Sequence, residues 1–206
     1  MPQLTPSTSA PVCALDTLGI ISRTDWGAAP PDLGSVEGVY DPAANPAGWL
    51  VYSEPLRDVL TTIVVHHSAL PLSDGPRAIQ TLHMQDRGYA DIGYHFLIDE
   101  TGLIYEGRSL IVRGAHTGGH NTGTVGVVLL GNFEEAEPTE PQLASLKRLI
   151  RCLADAYAIT HLVGHRDFQP GVTLCPGANL EALLPDLASE TGLAFGVGGY
   201  QRPELP

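Results

Sequence analysis

Apolar and polar positions along this chain follow two periods, and turn residues mark the change from one to the other. The run Thr62-Ile63-Val64-Val65-His66-His67-Ser68-Ala69 is β-branched and largely continuous in its apolar character, which predicts a strand buried on both faces. From Pro76 to Arg87, Ile79, Leu82 and Met84 fall at roughly helical spacing until Gly88 stops the pattern. Tyr94-His95-Phe96-Leu97-Ile98 reads as a strand, and Asp99-Glu100-Thr101-Gly102 turns it into a second one, Leu103 to Glu106. After the polar loop Gly114 to Thr122, Val125-Gly126-Val127-Val128-Leu129-Leu130 is a further apolar strand. The clearest helix runs from about Glu140 to Ala158. Thr139 and Gln142 make a capping-box pair there, and Leu143, Leu146, Leu149, Ile150, Leu153 and Tyr157 line one face. Thr160 to Gly164 is a short strand, and Ala178 to Leu187 a last helix. Strands interleaved with helices predict an α/β fold, a single domain with a central mixed β-sheet flanked by helices.

Outside this core the periodicity fails. Residues 1–19 are rich in Pro, Ser, Thr and Ala and read as a loosely ordered arm. The domain itself is expected over 20–190, with a long loop insertion over 30–60 that is loaded with Pro, Gly and Asn. Residues 191–206 are expected to be a C-terminal tail. There is no internal repeat.

Composition narrows the function classes. An apolar content of 43% is enough for a sizeable core. A net charge of −12, from 23 acidic against 11 basic residues, provides no basic stripe for phosphates, so nucleic acid is not an expected partner. No window approaches the roughly 18 uninterrupted apolar residues of a membrane span. The N-terminus Met1-Pro2-Gln3-Leu4 shows no basic start followed by an apolar run, so no signal peptide is visible. A monomer is expected. Of the cysteines Cys13, Cys152 and Cys175, one must be left over from any pair.

Strong metal ligands stand at or beside strands in three places: His66-His67 within one, His165 after another, and Cys175 further on. Two imidazoles and a thiolate suit zinc and leave a fourth position for water, the mark of a hydrolytic rather than a structural site. A structural zinc site would want a fourth protein ligand. His67 is the nearest candidate, and strand alternation turns it away if His66 faces in.

The order of motifs supports that reading. Arg23-Thr24-Asp25-Trp26-Gly27-Ala28, Val65-His66-His67-Ser68-Ala69, Gly93-Tyr94-His95-Phe96, Gly114-Ala115-His116, His120-Asn121, Val125-Gly126-Val127 and Gly164-His165-Arg166-Asp167, ending in Cys175-Pro176-Gly177, resemble the type 2 N-acetylmuramoyl-L-alanine amidases. That family includes the peptidoglycan recognition proteins and bacteriophage amidases, and the resemblance covers about residues 20–190. It implies a peptidoglycan recognition protein-like fold and peptidoglycan as partner. The expected activity is zinc-dependent hydrolysis of the amide between N-acetylmuramic acid and L-alanine.

Carried over position by position, the resemblance implies His66, His165 and Cys175 as zinc ligands and Tyr94 as a catalytic residue. Thr173, two before the cysteine, takes a second catalytic position. His67, His116, His120 and Asn121 are expected to contact substrate. The interval from His165 to Cys175 is two residues longer than in shorter members, through Gln169-Pro170-Gly171, and is read as a loop insertion. Trp26 is expected to be a core anchor, while Arg166 and Asp167 are either groups that orient His165 or a surface pair. Two other functions remain: a peptidoglycan-binding module that cuts nothing, against which Cys175 argues, and an amidase for anhydro-muropeptides. The family is either secreted to the wall or made by a phage and released at lysis. Cys13 and Cys152 are expected to bridge the arm to the long helix in the first setting and to stay reduced in the second.

Overall fold

The computed structural model describes residues 13–37 and 48–203. The first part of the expected arm, residues 38–47 of the long loop, and the last three residues lie outside the described residues.

Six strands make one mixed sheet, and their order is set by where the apolar runs can be buried on both faces. In chain order the elements are α1 (Leu56–Val59), β1 (Thr62–His67), α2 (Pro76–Thr81), β2 (Phe96–Ile98), β3 (Ile104–Glu106), β4 (Thr124–Leu129), α3 (Glu140–Tyr157), β5 (His161–Gly164), α4 (His165–Phe168), α5 (Ala178–Glu181), α6 (Leu184–Thr191) and β6 (Ala194–Phe195). The sheet order is β3-β2-β4-β1-β5-β6, with β3 antiparallel to β2 and the other pairs parallel. Every residue of β1 and β4 is buried, as parallel central strands require.

The two-residue period divides the sheet into two faces. Ile63, Val65, Val127 and Leu129 share a core with Leu146, Leu149, Ile150 and Leu153 of α3. Leu97 and Val128 face the opposite way and pack with Ile79 of α2 and Ile92. His66 lies beside Val128 in the register, on the α2 side, and His67 beside Leu129, on the α3 side. One pair of adjacent histidines is thereby split between two environments.

Several boundaries differ from the sequence expectation, each for a local reason. The expected helix over 76–87 is α-helical only to Thr81 and continues as a π-turn over Leu82–Asp86. The expected last helix is two, α5 and α6, because the chain restarts at Leu184 with Pro185 in the first turn, where a missing N–H costs nothing. The long helix α3 keeps its capping box: the Thr139 hydroxyl accepts from the Gln142 N–H, and the Gln142 side chain accepts from the Thr139 N–H.

The two ends of the described chain are built into the domain. Cys13 is disulfide-bonded to Cys152 of α3, across a separation of 139 residues, and Leu15–Leu18 forms a 3-10 turn whose Leu18 enters the core. Opening that bond by Cys13→Ala is expected to lower unfolding stability by about 2–4 kcal/mol. Urea denaturation measures this, and an unchanged midpoint would mean that the bond does not close in solution. At the other end β6 pairs with β5. The Tyr200 hydroxyl then donates to the Thr122 carbonyl, and its ring packs on Phe168 and His120. Among the described residues no helix is long and apolar enough to cross a membrane.

Candidate metal centre and groove

The site forms where β1 and β5 end on the α2 side of the sheet. His66 is the fifth residue of β1 and is fully buried, His165 opens α4 directly after β5, and Cys175 returns on the following loop. The loop is closed by the Arg166 N–H donating to the Cys175 carbonyl at 2.8 Å. The Arg166 side chain donates to the Leu174 carbonyl, and Asp167 accepts the Gly164 N–H at 2.8 Å. Arg166 and Asp167 thus hold the segments that carry His165 and Cys175 rather than standing free at the surface.

Within this frame the ligand atoms of His66, His165 and Cys175 lie within 4.8 Å of one another. The Cys175 Sγ is 3.5 Å from His66 Nδ1. Tetrahedral zinc with ordinary Zn–S and Zn–N lengths would separate such atoms by about 3.6 Å, so the donor set fits that metal in chemistry and the Cys175–His66 pair fits it in spacing. Burial lowers the His66 pKa well below the usual imidazole value, with His116 and His165 adding to the effect, and burial lowers His165 as well. Both rings are therefore neutral at physiological pH and offer lone pairs. Burial also pushes the Cys175 thiol up to about 12, so the proton it carries must leave when a cation arrives.

His66 is held by a set of hydrogen bonds whose directions follow from the role of its Nδ1. With the Nδ1 lone pair turned to Cys175 as a metal ligand requires, Nε2 carries the proton and donates to His116 Nδ1 at 3.0 Å, an atom that also meets the Thr117 hydroxyl at 2.9 Å. The His116 Nε2–H then points to Thr124 Oγ1 at 3.5 Å, and that hydroxyl donates onward to the His120 carbonyl at 2.8 Å. Gly126 of β4 makes room for the His116 ring, since a Cβ there would lie 2.5 Å from its Cδ2.

Tyr94 packs its ring 5.0 Å from His66 and 5.2 Å from His83. Burial first, and the neighbouring Cys175 second, raise its phenol above the ordinary value, so it stays protonated and can act as a donor. The Thr173 hydroxyl accepts the Cys175 N–H at 3.1 Å. That contact places it at the base of the cysteine loop, and its own proton remains free to donate.

Beside the cluster lies an open cavity of about 410 Å³ whose lining includes Arg87, Tyr89, His116, Asn121, His165 and Gln169. Glu37 is part of the wall and is held there by buried Arg108, which donates to its carboxylate at 2.5 and 2.9 Å. Asn121 holds the loop of the cavity floor, its Oδ1 accepting the N–H groups of His116 and Thr117 at 2.8 and 2.7 Å. His120 stacks on Phe168 at 4.5 Å and does not line this cavity. His67 stands apart: its Nδ1 accepts the Phe133 N–H, its ring packs against Phe133, and burial lowers it to about 4. Trp26 anchors its segment by donating from Nε1 to the Glu106 carbonyl at 2.8 Å.

Two contributors escaped the sequence reading. His83, buried in the π-turn, accepts the Gly93 N–H at 2.9 Å and so fixes the residue before Tyr94. Gln169 contacts His165 at 3.1 Å. Its spacing of four from a ligand on a short helix is the signal that would have revealed it.

A family model described as N-acetylmuramoyl-L-alanine amidase matches residues 56–178. Peptidoglycan-recognition protein LB of Drosophila melanogaster is 33% identical over 206 residues, covering 92% of this chain and 78% of the relative. The solved Drosophila PGRP-LB superposes with a TM-score of 0.66 at 30% identity, covering 85% of this chain and 95% of that one. The amidase LysC from Clostridium intestinale gives a TM-score of 0.60 at 33% identity over 70% of this chain and 94% of its own. Peptidoglycan recognition protein-LE, solved with tracheal cytotoxin, a monomeric diaminopimelic acid-type peptidoglycan, gives 0.65 at 26% identity over 85% and 95%. Sequence, fold and motif order agree that this chain belongs to the family of type 2 N-acetylmuramoyl-L-alanine amidases and peptidoglycan recognition proteins.

Proposed function

We propose that the chain is a zinc-dependent amidase that cuts peptidoglycan between N-acetylmuramic acid and the L-alanine of the stem peptide. The observation that carries this reading is the complete donor set: Cys175 Sγ lies 3.5 Å from His66 Nδ1, with His165 in the same cluster, at the edge of an open groove. A module that only binds peptidoglycan has no use for a thiol held beside two neutral imidazoles. Zinc at these three residues would polarise the scissile carbonyl and activate a water. Tyr94, kept protonated by burial, is positioned to donate a hydrogen bond to the carbonyl oxygen as negative charge develops on it. Thr173 holds the cysteine loop through the Cys175 N–H and offers a second hydroxyl proton. The loop of His116, His120 and Asn121 forms or supports the floor that receives the glycan and stem peptide. His67, on the α3 side of the sheet, serves substrate only through the position of Phe133 and its neighbours. The Cys13–Cys152 bond favours work in an oxidising setting outside the cell.

Mass spectrometry of digested purified peptidoglycan tests the reaction. Free stem peptides beginning at L-alanine beside intact glycan strands are expected. New reducing sugar ends would sink the amidase reading, and sedimentation with the wall without any release would make the chain a recognition module.

A further inference from the structure

We propose that Gln169 is a positioning residue: its amide selects the ring nitrogen that His165 presents to the metal and ties that ligand to the groove floor. The inference rests on the zinc reading above. The Gly118 carbonyl oxygen can only accept, so the group facing it at 3.2 Å is the Gln169 amide nitrogen. The other end of the same amide, Oε1, then faces His165 Nε2 at 3.1 Å. Oε1 can also only accept, so the proton of the neutral His165 ring sits on Nε2 and the lone pair on Nδ1. No other orientation of the amide satisfies both contacts.

The two ends of Gln169 meet different needs. His66 Nε2 meets its partner, His116 Nδ1, on the sheet side at 3.0 Å. His165 stands on α4 at the groove rim, where it lines the cavity and packs its ring 4.7 Å from that of His66, and Gln169 is the hydrogen-bond partner of its Nε2. The cavity loop is fastened at its start by Asn121, whereas Gly118 and Gly119 are exposed and bring no side chain of their own. The Gln169 donor therefore restrains that exposed turn. A residue that the sequence places in an inserted loop thus links metal ligation to the shape of the floor.

Two substitutions separate the two ends. Gln169→Leu removes both contacts at similar size, while Gln169→Glu keeps an acceptor toward His165 and loses the donor toward Gly118. Zinc affinity is measured by chelator competition, and the exposed turn is followed by hydrogen exchange at residues 117–120. Gln169→Leu is expected to weaken zinc binding about 10–100-fold, in the range for loss of a group that orients a ligand. Gln169→Glu is expected to bind zinc at least as tightly as the parent. Both variants are expected to exchange faster at residues 117–120. Parent-like zinc affinity in Gln169→Leu, or equal losses in both variants, would overturn the proposal. Nitrogen-15 NMR of the parent without metal provides an independent reading, with the His165 proton expected on Nε2. A proton on Nδ1 there would overturn it as well. A parent that takes up no zinc would defeat the zinc reading, while the NMR result would still decide the role of Gln169.

Discussion

Cys175→Ala is expected to abolish stoichiometric zinc and, with it, the release of stem peptides. Two imidazoles would remain at the edge of the groove, and the anionic ligand that balances the cation would be gone. Metal analysis of the purified parent is expected to give about one zinc per chain, and the variant close to none at the same free concentration. The chemistry of the thiol adds a pH signature. Without metal it is protonated, its pKa pushed up to about 12 by burial, whereas His66 and His165 are already neutral. Zinc uptake should then displace one proton, and its apparent affinity should rise about tenfold per pH unit through the neutral range. Calorimetry in buffers of different ionisation enthalpy counts that proton. A parent whose uptake releases none, or a Cys175→Ala chain that binds as tightly as the parent, would remove Cys175 from the ligand set.

Tyr94→Phe should separate catalysis from binding within the same site. It keeps the ring that packs between His66 and His83 and deletes only the hydroxyl. If that hydroxyl stabilises the oxyanion, kcat falls by about 10²–10³ while zinc content, folding and sedimentation with peptidoglycan persist. The donor role depends on a phenol that never ionises in the working range, which burial and the neighbouring Cys175 ensure. A variant that cuts as fast as the parent would reduce Tyr94 to a packing residue and move the search to Thr173.

The sequence carried the central features because their causes are local. The run at β1 is apolar on both faces, as only a central parallel strand can be, and α3 announces itself through Thr139 and Gln142. His66 and His67 could be assigned to opposite faces from the strand period alone. What stayed hidden depends on contacts made at a distance. The π-turn at Leu82–Asp86 carries His83, whose ring accepts the Gly93 N–H ten residues on, a contact that no helical period encodes. The link between His66 and His116 joins residues 50 positions apart and needs the Gly126 gap beneath the ring. Gln169 looked like part of a loop insertion because its partner Gly118 is 51 residues away. Thr173 matched a motif position, yet only the structure shows its hydroxyl occupied as an acceptor for Cys175.

The strand beyond the last helix bears on how this protein can be divided. The match to the family model stops at residue 178, so a shortened version for expression or fusion would naturally be cut soon after α6. Such a cut would strip β6 from β5, baring a row of backbone donors and acceptors on a strand whose Leu162, Val163 and Gly164 are buried. Uncovered edges of that kind recruit other chains. It would also release Tyr200 from Thr122, His120 and Phe168, at the back of the loop that shapes the groove. The practical unit of this protein therefore extends at least through Tyr200, and a tag or partner domain belongs beyond that point.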